Sequence, residues 1–394
     1  MKTRKIALIF EMYNMLGCGM LHGITKYISE HRHWDTQHIE LTFESTLPPW
    51  LSRWKGDGII VRDKFGTCCP HALKTGAKVV DLSIVRTPEA GTIFFDTDLL
   101  IQMAIDYFHE RFYRNLAYVG IRNLPFTQER AEIFLRKTNG EGHLFEMDFD
   151  ENNDYSRVND AKLTEWLRSL PKPVGILGCY DSIASKVVET CRKKNLDVPE
   201  SIAVLGVNND NTYCYLADPP LSSIVPNAFE IGYRTCELLE AMMNGEEYPA
   251  ERLSVQPMGV ITRRSTDTLA LDDPLLVRAI QTIRKSRDLD LTVSDVARMT
   301  GMSKRTLERR FRQTLHYSPL DEINRVRFQR SCVLLKNTRL TIDAITKRVG
   351  FRSKSYFFAE FQNRFGMTPG EFRRRMVTAT HFDREEIQEF FLVR

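Results

Sequence analysis

The stretch Thr292–Ser303, TVSDVARMTGMS, recurs in altered form as Thr341–Phe351, TIDAITKRVGF, 49 positions further along the chain. Each copy begins with Thr, continues as a short amphipathic helical pattern and reaches a glycine turn. A second helical stretch rich in basic side chains follows each copy, over residues 304–315 and 352–365. This pattern is typical of a helix-turn-helix, whose second helix lies in the DNA major groove. The sequence therefore predicts two helix-turn-helix units.

Charge is divided unevenly between this part of the chain and the rest. Residues 274–376 carry 23 Lys and Arg against 9 Asp and Glu, a net charge of +14. The whole chain carries +4, so the remaining residues carry −10. Because DNA binding depends on basic side chains that neutralise phosphates, we expect only the C-terminal part to contact double-stranded operator DNA.

Length and composition indicate two or three folded domains, since 394 residues exceed one ordinary domain and 42% of them are hydrophobic. No run approaches the ~18 apolar residues that span a bilayer. The apolar run Ile6–Phe10 ends at Glu11, which makes it too short for a signal peptide. We therefore expect a cytoplasmic protein with no membrane contact.

The composition also bears on chemistry. The eight cysteines are scattered and form no Cys-x-x-Cys pair, so we expect reduced thiols that act as small core residues. Cys68 and Cys69 lie near His71, but no further ligands stand at metal-binding spacing. The chain contains no Gly-x-Ser-x-Gly, His-Glu-x-x-His or Gly-x-x-x-x-Gly-Lys motif. The sequence thus predicts no metal, no cofactor and no catalytic residues.

Residues 1–265 alternate short β-branched runs with helical patterns, which favours parallel, doubly wound sheets. The predicted strands are Ile6–Phe10, His38–Phe43, Gly58–Val61, Val79–Leu82, Thr92–Phe95, Leu116–Val119, Val174–Gly178 and Ile202–Val207. The predicted helices are Gly17–His31, Leu99–Arg111, Glu129–Lys137, Ser182–Lys194 and Ala228–Asn244. We expect a break near Asn139–Asn153 to separate two lobes, whose cleft would bind a ligand beyond the carboxyl ends of the strands.

Two families are recognisable in these residues. The stretches 173–184, PVGILGCYDSIA, and 196–209, LDVPESIAVLGVNN, resemble the LacI/GalR sensor domain. Gly350–Phe351, Tyr356–Phe357 and 365–369, FGMTP, resemble the AraC/XylS regulator domain. The order of the two domains resembles that of xylose operon regulators.

The resemblance implies an α/β two-lobed, periplasmic-binding-protein-like sensor with doubly wound parallel sheets, joined to an all-α domain with two helix-turn-helix units. We place the sensor at 1–265, a linker at 266–275, the DNA-binding domain at 276–376 and a C-terminal tail at 377–394. The implied function is that of a transcription activator switched by a sugar-like effector, xylose or another sugar. We further expect a homodimer that contacts RNA polymerase. A non-sugar effector, a repressor and an enzyme with a DNA-binding tail remain the alternatives.

The first helix-turn-helix unit carries the clearest candidates for DNA contact. Ser303 stands at the N-cap position of its second helix. The exposed residues of that helix are predicted to be Lys304, Arg305, Glu308, Arg309 and Arg312. By resemblance, Arg305, Glu308 and Arg309 contact bases, and the alternative is that two of them contact only phosphates. The expected core residues of the unit are Val293, Val296, Ala297, Leu307, Phe311 and Leu315.

The second unit has fewer polar side chains. Its predicted DNA contacts are Arg352, Ser353, Lys354, Ser355 and Phe358, with Ser353 as the N-cap. Tyr356, Phe357 and Phe361 are expected to pack inside. Because Ala359 faces outward where related proteins often carry a polar base-reader, we expect the first unit to select the sequence and the second to add affinity. A helix from Ser318 to about Lys336, roughly 28 Å long, would join the two units.

The predicted effector site draws on polar residues that follow strands. The candidates are Glu11, Asn14, Asp96, Arg130, Asp181 and Asn208, with Phe126 and Tyr180 as ring platforms. Sugar recognition needs hydrogen-bonding side chains and an aromatic or apolar face. The resemblance favours Arg130, Asp181 and Asn208. For each residue, a structural hydrogen bond or a helix cap is the alternative to ligand contact.

Overall fold

The computed structural model describes residues 3–378 apart from 12–14, 32, 42–46, 64–65, 84–86, 123, 149–159, 251–252, 287–289, 352 and 366. The chain divides into two compact units, Met1–Ala270 and Leu271–Arg394. This division falls inside the range 266–275 that the sequence predicts as a linker. The finer domain bounds stay predictions.

The first lobe of the first unit contains a parallel four-stranded sheet in the order β2-β1-β3-β4. Its strands are β1 (Arg4–Glu11), β2 (Trp34–Leu41), β3 (Gly58–Arg62) and β4 (Lys78–Asp81). Both faces of the sheet are covered, which explains the near-continuous apolar run of β1. Ile6, Leu8 and Phe10 pack in one core cluster with α1 (Met15–His31) and α8 (Ala228–Asn244). Ala7 and Ile9 pack on the other face, with α2 (Cys68–Leu73).

Glycines allow α1 and α8 to approach closely. A Cβ at Gly232 would lie 1.8 Å from the carbonyl oxygen of Met20, and a Cβ at Gly23 would lie 2.0 Å from that of Phe229. Backbone atoms cannot move aside as a flexible side chain can, so larger residues at either position would separate the helices. This contact brings the late helix α8 into the lobe formed by the start of the chain.

The second lobe contains a six-stranded sheet in the order β12-β10-β9-β8-β6-β7, parallel except for β12. Its strands are β6 (Asn115–Ile121), β7 (His143–Met147), β8 (Val174–Gly178), β9 (Ile202–Val207), β10 (Ser222–Val225) and β12 (Gly259–Ile261). The helices of this lobe are α3 (Thr97–His109), α4 (Pro125–Lys137), α5 (Asp160–Ser169), α6 (Asp181–Lys193) and α7 (Asn211–Leu216). The predicted two-lobed α/β fold is therefore confirmed.

The boundary between the lobes differs from the prediction. The break near Asn139–Asn153 does not separate them, because β7 pairs with β6 inside the second lobe. Within the described ranges the chain instead passes between the lobes after β5 (Phe94–Phe95), between β10 and α8, and between β11 (Ser254–Val255) and β12. β5 and β11 pair with each other at two of these crossings. Each lobe is thus formed from several separate segments of the chain, so the sequence contains no single boundary between the lobes.

The second unit consists of helices. They are α9 (Pro274–Lys285), α10 (Val293–Thr300), α11 (Lys304–Leu315), α12 (Pro319–Asn337), α13 (Ile342–Arg348), α14 (Lys354–Phe365) and α15 (Pro369–Thr378). The Thr landmarks of the repeat are N-caps, since Thr292 Oγ1 accepts a hydrogen bond from Asp295 N and Thr341 Oγ1 accepts one from Ala344 N. The Gly landmarks, Gly301 and Gly350, have φ of 72° and 88°, a backbone region that favours glycine.

Each helix-turn-helix unit has an apolar core. Val296, Ala297, Leu307 and Phe311 are buried in the first, as predicted, whereas Val293 and Leu315 are only half-buried. The core of the second consists of Phe328, Leu335, Ile345, Val349, Phe351, Phe357 and Phe361. Phe328 and Leu335 belong to α12, so this long helix supplies part of that core.

All eight cysteines are free thiols, and six of them are buried. The prediction that cysteines act as small core residues is confirmed for these six. Burial raises the pKa of both the Cys68 and the Cys69 thiol to about 12. Such thiols remain protonated and weakly reactive. Among the helices that the structure describes, none is both long and apolar enough to cross a membrane.

Candidate nucleic-acid interface and effector cleft

Helix α11 presents a basic face whose orientation is set by its cap and its core residues. Ser303 Oγ accepts a hydrogen bond from Thr306 N at 3.1 Å, which confirms the predicted N-cap. Leu307 and Phe311 are fully buried on the opposite face. The predicted DNA-contacting residues that stand exposed are Ser303, Lys304, Arg305, Arg309 and Arg312. This face is suited to enter a groove, and contact of each residue with DNA stays a prediction.

Two further side chains of α11 have partners within the unit. Glu308 is half-buried, and its Oε1 lies 4.0 Å from Lys304 Nζ one helical turn away. Arg310, adjacent to the exposed Arg309, donates a hydrogen bond to Asp273, the N-cap of α9. Because successive helical residues are rotated by about 100°, neighbouring arginines take different roles, one toward solvent and one toward the protein.

Helix α14 is capped as predicted, since Ser353 Oγ accepts a hydrogen bond from Tyr356 N at 3.2 Å. Lys354, Ser355 and Ala359 are exposed. Phe358 is half-buried and packs edge-on against Phe357, with 6.1 Å between the ring centroids. Its ring thus contributes to the core as well as to the predicted DNA face. Arg352 lies outside the described residues.

The prediction that Tyr356 packs inside is wrong. Its side chain is 47% exposed, and its hydroxyl accepts a 3.4 Å hydrogen bond from Asn324 Nδ2 of α12. Phe357 and Phe361, four residues apart, define the buried face of α14, and Tyr356 is rotated by about 100° from Phe357. An aromatic side chain with a hydroxyl group therefore joins Lys354 and Ser355 at the exposed start of α14.

In the second lobe of the sensor, three predicted effector residues lie together beyond the carboxyl ends of β6 and β8. The rings of Phe126 and Tyr180 have centroids 6.1 Å apart, and Arg130 Cζ lies 5.3 Å from the Phe126 centroid. Arg130 is buried and donates a hydrogen bond to the carbonyl oxygen of Cys179. The structure thus brings two rings and a guanidinium group to one edge of the sheet.

Asp181 is 1% exposed, at the start of α6. Its Oδ1 accepts a 2.6 Å hydrogen bond from Ser223 Oγ, and its Oδ2 accepts one of 2.6 Å from Asp210 N. Burial raises the pKa of Asp181 to about 7. A Cβ at Gly206 would lie 2.1 Å from Oδ1, so glycine is needed beside this carboxylate. These contacts match the structural alternative for Asp181, and ligand contact stays a prediction.

Of the other predicted residues that the structure describes, Asn208 lies at the same edge of this sheet, because β9 is parallel to the neighbouring β8, whereas Asp96 and Glu11 lie elsewhere. Asn208 follows β9 with φ of 103°, and its backbone N donates to Ile224 O at 3.0 Å. Asp96 lies at a crossing between the lobes, where its Oδ1 caps α3 by accepting from Leu99 N at 2.9 Å. Glu11 is buried at the end of β1. Asn14 lies outside the described residues.

Charged residues that the sequence did not single out as candidates are buried at the corresponding edge of the first lobe. Arg62 ends β3, where its Nη1 donates a 2.8 Å hydrogen bond to Glu11 O and lies 3.9 Å from Glu11 Oε2. Asp63 and Asp81 are also buried at this edge. Their positions could have been found from the sequence, because Arg62 and Asp63 directly follow the apolar run of β3 and Asp81 ends that of β4. An open pocket of about 590 Å³ lies beside α3 and α4. Asp96 is the predicted effector residue among the described residues that line it.

Comparison with known proteins agrees with this architecture. A model of the periplasmic binding protein-like domain matches residues 105–266, and a model of a helix-turn-helix domain matches residues 296–375. The fold and the capped basic helix α11, together with these matches, define a DNA-binding transcription regulator with a periplasmic-binding-protein-like sensor.

The relatives narrow this class further. The chain is 30% identical over 292 residues to the xylose operon regulatory protein of Haemophilus influenzae, covering 73% of this chain and 75% of that protein. It is 27% identical over 396 residues to the protein of the same name from Escherichia coli, covering 94% and 97%. The chain belongs to the family of xylose operon regulatory proteins. The solved structure of a xylose-binding transcription activator matches 94% of this chain and 98% of its own, with 25% identity and a TM-score of 0.59.

Proposed function

We propose that this protein activates a carbohydrate-utilisation operon in response to a sugar-like effector, with xylose as the first candidate. The observation that carries the proposal is the capped, basic face of α11 on a chain that also contains a two-lobed sensor. Relatives named as xylose operon regulatory proteins, and a solved relative named as xylose-binding and as an activator, support both the effector and the direction of the response.

For DNA binding, we assign different tasks to the two helix-turn-helix units. Arg305 and Arg309 lie one turn apart on the exposed face of α11, and arginine can bind guanine O6 and N7 bidentately. The exposed start of α14 offers Lys354, Ser355 and Tyr356, while Ala359 lacks a polar group. The first unit therefore selects the operator sequence, and the second adds affinity through phosphates and shape.

For effector binding, the rings of Phe126 and Tyr180 offer apolar faces to the carbon–hydrogen side of a sugar ring. Arg130 and Asn208 supply hydrogen-bonding groups at the same edge of the sheet. A ligand changes DNA binding only if it favours one arrangement of the protein over another. We propose that the effector favours one arrangement of the two lobes, and that this selects the DNA-binding arrangement of a homodimer, which then recruits RNA polymerase.

A thermal-shift screen over pentoses, hexoses and sugar acids tests the effector. A ligand at 100 times its Kd stabilises the sensor by about 2.7 kcal/mol, so a sugar that binds raises the melting temperature by an amount that grows with the logarithm of its concentration. DNA affinity is then measured with and without that sugar, on sequences that the protein selects from a random pool. Sugars that change neither the melting temperature nor DNA affinity would disprove the proposal.

Two further measurements test the remaining parts. Sedimentation of the full chain on DNA gives the number of copies bound, and the homodimer predicts two. Transcription with purified RNA polymerase should rise when the protein and the sugar are added together. A fall in transcription would show that the protein is a repressor.

A further inference from the structure

The loop after β9 carries the predicted effector residue Asn208 and has an unusual backbone. Asn208 and its neighbour Asn209 both have positive φ, 103° and 49°. Asn adopts this region more readily than most residues, but two in succession need support from the surrounding structure. The position of this loop is therefore set by its hydrogen bonds rather than by local preference.

One side of that support comes from β10 and α6. Asn209 N donates to Ser223 Oγ at 2.9 Å, and Ser223 Oγ in turn donates to Asp181 Oδ1 at 2.6 Å. Asp210 N donates to the other oxygen of the same carboxylate at 2.6 Å. All four residues are at least 90% buried. This side of the loop is a closed network within the core of the lobe.

The other side of the support is Arg263, which follows β12. Its Nη2 donates to Asn209 Oδ1 at 2.9 Å and its Nη1 donates to Leu221 O at 2.9 Å. Its Cζ lies 4.9 Å from the ring centroid of Tyr215 in α7. The rigid fork of a guanidinium group fixes the direction of both hydrogen bonds at once. Arg263 therefore joins the side chain of the loop to the last strands of the sheet.

Arg263 also begins the segment by which the chain leaves the sensor. Its backbone N donates to Ser222 Oγ at 2.7 Å. Ser265 and Thr266 follow, both fully buried, and Thr266 Oγ1 lies 2.6 Å from Tyr107 OH. The sensor unit ends at Ala270, and α9 of the DNA-binding unit begins at Pro274. Few residues thus separate the side chain that holds the loop from the first helix of the second unit.

We propose that Arg263 is a positioning residue that couples the Asn208–Asp210 loop to the segment leading out of the sensor. This inference rests on the proposed function, because it concerns how an effector in the cleft alters DNA affinity. When the effector displaces or fixes the loop, Asn209 moves with it and the guanidinium group transmits that movement to the 263–270 segment. Loss of the guanidinium group leaves the cleft and the DNA-binding helices folded, but effector binding then no longer changes DNA affinity.

The test uses the full chain and compares Arg263→Gln with the matched control Arg264→Ala, since Arg264 is an exposed neighbour. The probe is the sugar of the thermal-shift panel that raises the wild-type melting temperature most. For the wild type, the sugar is expected to change DNA affinity about 5- to 150-fold, the usual range of such coupling. In Arg263→Gln this change should fall to within about twofold, while sugar affinity and sugar-free DNA affinity stay at wild-type values.

A double-mutant cycle separates coupling from general damage. Asn209→Gly removes the acceptor without straining the positive φ, and it should reduce the response as Arg263→Gln does. Combining both substitutions should produce no further loss, because they remove the same hydrogen bond. Arg263→Lys, which keeps the charge but not the fork, should also lose most of the response, with a circular dichroism spectrum like that of the wild type.

The possible results separate failure of the proposed function from failure of the coupling role of Arg263. A wild-type chain that responds to no sugar overturns the proposed function and the inference with it. A full response in Arg263→Gln overturns the inference alone. Loss of sugar binding in Arg263→Gln also overturns it, and shows that Arg263 contacts the effector directly.

Discussion

Arg284, near the end of α9, donates a 2.8 Å hydrogen bond from Nε to Oε1 of Glu322 in α12, whose side chain is completely buried. Arg325 donates two more to the same carboxylate, at 2.9 and 2.8 Å. Burial alone would raise the pKa of Glu322, but the hydrogen bonds and charges of Arg325 and Arg284 outweigh it, so the pKa is lowered. Helix α9 is thereby joined to α12 through a buried carboxylate whose charge is stabilised by both arginines.

Glu322→Ala should destabilise the second unit by about 3–5 kcal/mol, because it leaves two arginines without their buried acceptor. Amide hydrogen exchange of peptides from α9 and α12 in the full chain measures this. Asp343→Ala is the control, since its exposed pair with Lys347 contributes at most about 1 kcal/mol. Equal exchange in the two variants would contradict the prediction.

Arg305→Ala should weaken binding to the selected operator by about 1–3 kcal/mol and relax the base preference at one position. The reason is that a bidentate contact to a base is lost while the helix and its cap remain. Site selection from a random pool measures the preference. Gln313→Ala, an exposed change further along α11, should leave it unaltered. An unchanged preference in Arg305→Ala would remove this residue from base recognition.

Arg312→Gln should weaken DNA binding equally on all sequences, because this exposed residue of α11 is expected to contact phosphate rather than a base. A plot of log K against log salt concentration should become shallower by about 0.9, the contribution of one phosphate contact. Lys74→Gln, an exposed change in the sensor unit, provides the control. If both variants keep the wild-type slope, Arg312 does not contact the backbone.

Asp181→Asn should remove part of the pH dependence of stability. Burial raises the pKa of Asp181 from 3.8 to about 7, so between these values the folded chain holds a proton that the unfolded chain releases. The free energy of unfolding therefore falls as pH rises through this window, by up to about 1.4 kcal/mol per pH unit. This contribution to the free energy of unfolding is fully present below the unfolded pKa of 3.8 and is lost completely above about pH 7.

Melting temperatures of the wild type and Asp181→Asn at about pH 5 and about pH 7.5 test this expectation. The variant should lose less stability than the wild type between the two conditions, since an amide has no proton to release. Asp35→Asn, at an exposed position of β2, should behave as the wild type does. An identical loss in Asp181→Asn and the wild type would show that Asp181 is already ionised at pH 5.

The helix-turn-helix repeat could be predicted from sequence, because its helix caps and glycine turns depend only on residues a few positions apart. Thr292 and Thr341 cap helices through residues three positions away, and Gly301 and Gly350 supply a backbone conformation that depends on the residue itself. The buried strands of the sensor were equally visible, since strands covered on both faces are apolar throughout. The strands β7, β10, β11 and β12 were not predicted, and the last three have only two to four residues, which show little periodicity.

Amino-acid sequence by itself determined the classes of the two domains, the basic face of α11 and the burial of Leu307 and Phe311 on its opposite face, all of which follow from spacing within one turn or one strand. Only the tertiary structure decided which segments form each lobe, that Asp181 holds the loop after β9 and the strand β10 through its buried oxygens, and that Tyr356 is exposed. It also placed Arg263 against Asn209, 54 positions apart in the chain. These outcomes depend on packing and hydrogen bonds between distant segments, and no local pattern encodes them.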